Sequence, residues 1–462
     1  MKKLKLFGTS GIRGKANVEI TPEMAAKLGA SFASLLDNKG VVAVGRDVRL
    51  PAELFQHALV SGLLAGGVDI EDCGPAPTPA LLWTVKKMGL DGAVVVTGSH
   101  TPPEIIGFLF FMKDTAELSY DESHKFEKIF FAGPRLLPWN KVGRYSKVEV
   151  FDLYLKSILD HVDLRKLSSS SLSVVVDPGN GVAALTLGKI LQATNIETIA
   201  INDEVDGTFP HRDPYPRPEV LSELTRVVKE TKADFGVATD ADGDRAIFVD
   251  EGGGVLWGDV SGSIFVEEAL RRRRGGIVVA PINSSQLLKW VCDKYGGKVV
   301  YTRVGPPAIV SEIKRVEAVF GLEESGKYIW PETILYGDPA LATLKMLEIV
   351  SEKQKTLSQL VQEFPKFYAI KRAFHCPNEL KEKVSIKALE EWRKRGEEAE
   401  VVGVDGVKII YPDGSWMLLR PSGTEPVFRA YVESRSFDRA KELAELASSL
   451  IRKLLRQLLL GP

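Results

Sequence analysis

Three times along this chain an apolar strand stops at a tight polar loop, and each loop carries different chemistry. Ala93–Thr97 runs into Gly98-Ser99-His100. Phe235–Thr239 runs into Asp240-Ala241-Asp242-Gly243-Asp244-Arg245. Ala318-Val319-Phe320 runs into Gly321-Leu322-Glu323-Glu324-Ser325-Gly326-Lys327. Upstream of each lies the same order of parts. A first strand (Val41–Val44, Val174–Val176, Ile277–Ala280) leads to a helical segment (Glu53–Leu64, Ala183–Leu191, Gln286–Lys294). A second strand follows, near Val68–Ile70, Thr198–Ile201 and Val299–Tyr301. Self-similarity at this scale dominates the choice of fold. Strands alternating with helices predict α/β units with mainly parallel sheets. Ligands of such sheets sit beyond the carboxyl ends of the strands, so three equivalent strand ends can face one cleft.

From about Lys366 the pattern changes. Val407–Tyr411 and Trp416–Leu419 read as a hairpin around Pro412-Asp413-Gly414, Phe428–Glu433 as a strand, and Phe437–Leu460 as a long amphipathic helix that packs on its sheet. Tyr145–Val162 reads as an amphipathic helix, and Thr21 with Pro22 as the start of an early one. A chain of 462 residues exceeds what one core organises. The expected division is 1–150, 151–257, 258–365 and 366–462.

Lys and Arg number 60 against 61 Asp and Glu, so no net field favours nucleic acid or an anionic membrane. The run Arg271–Arg274 reads as a solvated helix end. Cys73, Cys292 and Cys376 form neither a zinc spacing nor a disulfide framework. Met1–Lys5 is basic without an apolar stretch behind it, and no run is long enough to span a bilayer. The expectation is a cytoplasmic protein with no nucleic-acid or membrane partner; monomer and homo-oligomer both stay open.

Asp240, Asp242 and Asp244 alternate within one glycine-containing loop. Carboxylates so close repel one another unless a cation neutralises them, and hard oxygen ligands suit Mg²⁺ or Ca²⁺. The glycine sits at the fourth loop position rather than the sixth and the flanks read as strands, which excludes an EF-hand. Arg420-Pro421-Ser422-Gly423-Thr424 offers a guanidinium fork, hydroxyls and amides that can chelate phosphate, with Arg429 beyond the turn. Glu323, Glu324 and Ser325 can read sugar hydroxyls, and Phe7–Gly14 suits a loop that wraps an anion. A metal, a serine, a phosphate clamp and a hydroxyl reader together describe phosphoryl transfer on a polyol. A serine can carry the group covalently and so divide one difficult transfer into two.

These loops, in this order and across essentially the whole chain, resemble the signatures of the α-D-phosphohexomutases. Gly98-Ser99-His100 resembles the phosphoserine loop, Asp240–Arg245 the metal loop, Glu323–Gly326 the sugar loop, and Arg420–Pro426 the phosphate loop. Gly8–Gly14 resembles the N-terminal motif. The resemblance implies three similar α/β domains with mixed, mainly parallel sheets and a smaller C-terminal α+β domain around one central cleft. It implies a phosphoserine at Ser99 and one Mg²⁺ per chain held by Ser99, Asp240, Asp242 and Asp244. A sugar bisphosphate serves as intermediate and activator. Ser99, His100 and Arg13 are the expected catalytic residues. Arg245, Glu323, Ser325, Lys327, Arg420, Ser422, Gly423, Thr424 and Arg429 are expected to bind the phosphosugar.

Departures from the family pattern bear on proton transfer and substrate. Thr101 and Ile105-Ile106 replace the family's Asn and Tyr-Asn, Leu109 stands where a lysine aids proton transfer, and Lys327 stands where His is common. Pro306-Pro307 follows Val304-Gly305 where the family often has Asp. The expected function is interconversion of sugar 1-phosphate and 6-phosphate on glucose and mannose. Glucosamine phosphate, a pentose phosphate and a non-catalytic phosphosugar binder are the alternatives.

Overall fold

The computed structural model describes residues 6–168, 171–394, 398–422 and 426–460. Four sheets follow one another along the chain. In the first, the strand order is Ile12–Lys15, Ile105–Met112, Gly92–Val96, Val41–Arg46, Asp69–Pro75 and Tyr145–Lys147. The second runs Val255–Leu256, Ala246–Asp250, Phe235–Thr239, Ser173–Asp177 and Glu197–Ala200. The third runs Gly297–Thr302, Gly276–Pro281, Phe320–Glu323 and Lys327–Ile329.

The repeat is therefore structural. In every unit the first strand lies between the second and third, parallel to both. An antiparallel strand then pairs with the third. The central strands are buried along their length, as strands covered on both faces require. Helix Pro22–Leu35 starts at Thr21, whose hydroxyl accepts from Met24 N, and packs on Ala52–Ala65. A Cβ on Gly29 would lie 2.1 Å from Leu59 O, so glycine permits the approach of these two helices.

One apolar cluster runs through all three α/β units, from Ala43 and Trp83 through Val174 and Phe248 to Phe320 and Leu347. Asp338 ties it together. It caps helix Pro339–Lys353 and accepts from Trp83 Nε1 at 3.0 Å and Tyr154 Oη at 2.7 Å. The C-terminal sheet is antiparallel, in the order Tyr368–His375, Val427–Ser434, Trp416–Pro421, Val407–Ile410 and Glu400–Val402. Helix Phe437–Leu460 packs on it around a separate core. Among the described residues no helix is long and apolar enough to cross a membrane.

Two segments differ from expectation. Tyr145–Lys147 is an edge strand parallel to Asp69–Pro75, and the helix begins only at Phe151. The third strand of the third unit is Phe320–Glu323, later than Ala318–Phe320. Gly321 reads as a turn but is a strand residue paired with Val279 and Ile329; glycine serves close packing there, since a Cβ would lie 2.4 Å from Ile313 Cδ1.

Candidate active site

The end of Gly92–Val96 and the end of Phe235–Thr239 bring Ser99 to Asp240, 141 residues apart in sequence, with Ser99 Oγ 3.2 Å from Asp240 Oδ2. Arg245 Nη1 donates to Ser99 Oγ at 2.8 Å and bonds Asp240 Oδ2 as well. Ser99 has φ +52°, a left-handed backbone that non-glycine residues adopt at a strain of about 1–3 kcal/mol and that recurs at functional sites. Ser99 N bonds Thr97 Oγ1, which fixes the turn.

His100 Nδ1 lies 2.9 Å from Arg245 Nη1, and a guanidinium is donor-only, so the ring nitrogen accepts. Burial, followed by the charges of Arg245, Arg13, Lys327 and Arg49, pushes His100 well below the usual imidazole range. Through Nδ1, His100 holds Arg245 beside Ser99.

Asp240, Asp242 and Asp244 are buried, and their ligand oxygens lie within 4.8 Å of one another. Asp242 Oδ1 and Asp244 Oδ1 accept no hydrogen bond. Burial and the neighbouring carboxylates push Asp242 well above the carboxylate range. Asp240 is raised by burial and by Asp244. Burial also works to raise Asp244, but Lys327 and Arg245 overcome it and leave it low. Desolvated, mutually repelling carboxylates with unmet acceptor capacity fit a divalent cation.

Lys327 starts the strand antiparallel to Phe320–Glu323 and lies opposite Glu323. Its Nζ is 2.8 Å from Asp244 Oδ2 and donates to Tyr336 Oη at 2.9 Å. Burial raises Glu323, partly offset by Lys327 and Arg245. Ser325 sits half-buried at the turn between them. Arg13 lies on the strand Ile12–Lys15 beside Gly107. Leu109 is fully buried in the apolar cluster, so position 109 offers no proton.

Of the phosphate-loop residues, Arg420 and Arg429 stand on the C-terminal sheet, directly opposite on neighbouring strands, and Ser422 N bonds Val427 O. Arg420 Nε donates to Asp405 at 2.7 Å, and Asp405 also accepts from Val304 N of the third unit. Gly423 and Thr424 lie outside the described residues.

Three groups here carry no local sequence signal. Tyr336 holds Lys327. Tyr215 places its ring 4.9 Å from His100 and 6.0 Å from the Arg245 guanidinium. Glu117, buried, accepts from Ser10 Oγ at 2.9 Å. Burial raises Glu117 from 4.5 to about 7, against the opposing pull of Lys327, Ser10 and Arg13. Because its folded value lies above its unfolded one, the folded protein holds this proton as pH rises from 4.5 to about 7 while the unfolded chain releases it. Its contribution to stability therefore falls across that window, by about 3 kcal/mol at 1.36 kcal/mol per unit. Glu117→Gln is expected to remove this slope and to raise the melting temperature at about pH 8. An unchanged slope in calorimetric scans from about pH 4 to 8 would contradict the assignment.

The family models for phosphoglucomutase/phosphomannomutase match all four parts of the chain. The α/β/α domains I, II and III match at residues 4–135, 152–254 and 257–368, and the C-terminal domain at 374–448. A phosphoglucomutase/phosphomannomutase of Thermococcus kodakarensis is 38% identical over 98% of this chain and 99% of its own. A phosphoglucosamine/phosphogalactosamine mutase of Sulfurisphaera tokodaii is 35% identical over 97% and 99%. The crystal structure of a phosphoglucomutase/phosphomannomutase family protein from Burkholderia thailandensis superposes with a TM-score of 0.86 at 26% identity, covering 99% of this chain and 98% of that one. The fold and these matches thus place the chain among the α-D-phosphohexomutases. The chain belongs to the phosphoglucomutase/phosphomannomutase family and is an isomerase that moves phosphate within its substrate.

Proposed function

We propose that the protein interconverts sugar 1-phosphate and sugar 6-phosphate, on glucose and mannose, through a phosphoserine at Ser99 and a bisphosphate intermediate. The observation that carries this reading is the meeting of Ser99 Oγ with Asp240 and Arg245 across two units. Phosphorylated Ser99 gives its phosphoryl group to the free sugar hydroxyl: the serine P–O bond breaks, a P–O bond to the sugar forms, and the hydroxyl proton leaves to a base. The bisphosphate then turns over in the cleft, and its other phosphoryl group returns to Ser99 Oγ: that sugar P–O bond breaks, the serine P–O bond re-forms, and a proton passes to the freed sugar oxygen. Arg245 Nη1 stabilises the negative charge that develops on Ser99 Oγ as the bond breaks. Lys327 Nζ, held between Asp244 and Tyr336, keeps an ammonium beside the metal loop. Ser99, Asp240, Asp242 and Asp244 would hold one Mg²⁺, which when bound neutralises charge on the transferred group.

Glu323, Ser325 and Lys327 would read the sugar, while Arg13 would act with His100 at the reacting end. Arg420, Ser422, Gly423, Thr424 and Arg429 would clamp whichever phosphate is not reacting. Division into four domains near residues 150, 257 and 365, and residence in the cytoplasm, belong to the same reading. Phosphorus NMR with Mg²⁺, a trace of sugar bisphosphate and the 1-phosphates of glucose, mannose, glucosamine and ribose tests it. Glucose and mannose 6-phosphates are expected to appear fastest; faster conversion of glucosamine or ribose reassigns the sugar, and conversion of none contradicts the reading. Arg420→Ala is expected to weaken phosphosugar affinity by about 1.5–3 kcal/mol, the worth of a hydrogen bond to a charged group. Unchanged affinity in titration calorimetry would remove Arg420 from the clamp.

A further inference from the structure

Two buried arginines, one in each of the first two units, do the same thing. Arg49 follows the first strand of unit one. Its Nε donates to Asp47 Oδ2 at 2.7 Å, and its Nη2 to Ser99 O at 2.7 Å. Its Nη1 reaches Pro102 O at 2.8 Å and Ile105 O. In unit two, Arg212 Nε donates to Asp177 Oδ2 at 2.8 Å, and its Nη2 to Thr239 O at 2.7 Å and Asp177 O at 2.9 Å. Asp177 ends the first strand of its unit, and Asp47 lies one residue beyond the end of its own. Arg49 therefore links the end of a first strand to the loop after the third, and Arg212 links the end of a first strand to the last residue of the third, Thr239. A glycine admits each one: a Cβ would lie 2.2 Å from Arg49 Nη1 on Gly98 and 2.4 Å from Arg212 Cζ on Gly179.

The two clasps also touch. A Cβ on Gly207 would lie 2.6 Å from Arg49 Cα, and the Phe209 ring lies 5.5 Å from the Arg49 guanidinium, three residues before Arg212. The segment that delivers Arg212 to Thr239, the residue before Asp240, thus rests on the segment that delivers Arg49 to the serine loop. At the corresponding place in the third unit Asn283, just beyond the first strand, donates Nδ2 to Glu324 Oε1 at 2.7 Å.

We propose that Arg49 and Arg212 are paired positioning residues that set the register between Ser99 and Asp240. Neither touches the reacting atoms. Arg49 holds Ser99 in its left-handed backbone from the carbonyl side, while Thr97 Oγ1, itself donating to Asp47 Oδ2 at 2.7 Å, holds the amide. Arg212 anchors the strand residue next to Asp240. In-line transfer tolerates little error, since a displacement of about 1 Å costs on the order of 10²-fold in rate. Lysine cannot replace either arginine, because it keeps the charge but loses the planar fork.

The kinetic arm rests on the phosphoserine reading, so a second arm is independent of it. Arg49→Lys and Arg212→Lys are each expected to lower kcat by about 10- to 100-fold with KM changed less than about threefold. In hydrogen–deuterium exchange, each substitution is expected to speed exchange at residues 97–101 and 239–245 together. Thr97→Val provides the same measurements if an arginine variant does not fold. A kcat within twofold of the parent in a folded variant, or faster exchange confined to the substituted unit, overturns the proposal. A parent protein that takes no phosphate from a sugar bisphosphate contradicts the phosphoserine reading, and the exchange pattern alone then decides the clasp.

Discussion

Ser99→Ala is expected to lose turnover by about 10⁴-fold or more while keeping the fold. The substitution removes one oxygen from a loop whose backbone is held by other groups. Ser99 N bonds Thr97, Ser99 O bonds Arg49, and the residue is buried. What disappears is the atom that Arg245 and Asp240 face. Loss of such hydrogen bonds to charged groups costs about 1.5–3 kcal/mol each, so the melting temperature falls by several degrees while the fold persists. Without Ser99 Oγ no phosphoryl group is stored between half-reactions. Steady-state assays with coupled detection check the rate, and circular dichroism checks the fold. Residual turnover within about tenfold of the parent would contradict covalent transfer through Ser99.

Asp242→Asn is the second large effect. Asp242 accepts from Thr78 through Oδ2, and its Oδ1 is buried without a hydrogen-bond partner. Converting it to an amide removes one of three mutually repelling carboxylates. The variant is therefore expected to melt higher than the parent in chelator. With Mg²⁺ present the order reverses. A ligand at a hundredfold its dissociation constant stabilises the native state by about 2.7 kcal/mol, and the variant loses most of that gain. Turnover is expected to fall by roughly 10²–10³-fold, the scale of several kcal/mol of charge stabilisation. Paired melts with chelator and with Mg²⁺ check the stability half. A parent whose melting temperature ignores Mg²⁺ would contradict the metal assignment.

The parts of the site that are contiguous in sequence were legible there. Asp240, Asp242 and Asp244 announce a cation because alternation alone crowds their charge, and Gly98-Ser99-His100 announces a loop because an apolar strand stops at it. The repeat was legible because each unit presents its strands in the same order. Residues that work at a distance were not. Glu117 meets Ser10 across 107 residues, and Arg49 and Arg212 reach their loops through a fold that must exist first. Gly321 misled because glycine marks turns and close packing alike, and only Ile313 above it tells which. Tyr145–Lys147 misled because a three-residue exposed edge strand shows no period of its own beside the helix that begins at Phe151.

The central claim is that Ser99 carries the phosphoryl group. Its most direct test is intact-mass spectrometry of the parent protein and Ser99→Ala after incubation with a sugar bisphosphate and Mg²⁺, followed by peptide mapping. The account predicts a single phosphoryl adduct on the parent, mapped to Ser99, which vanishes when a sugar monophosphate is added and never forms on Ser99→Ala. A parent that stays unmodified, or an adduct that persists in Ser99→Ala, would contradict it.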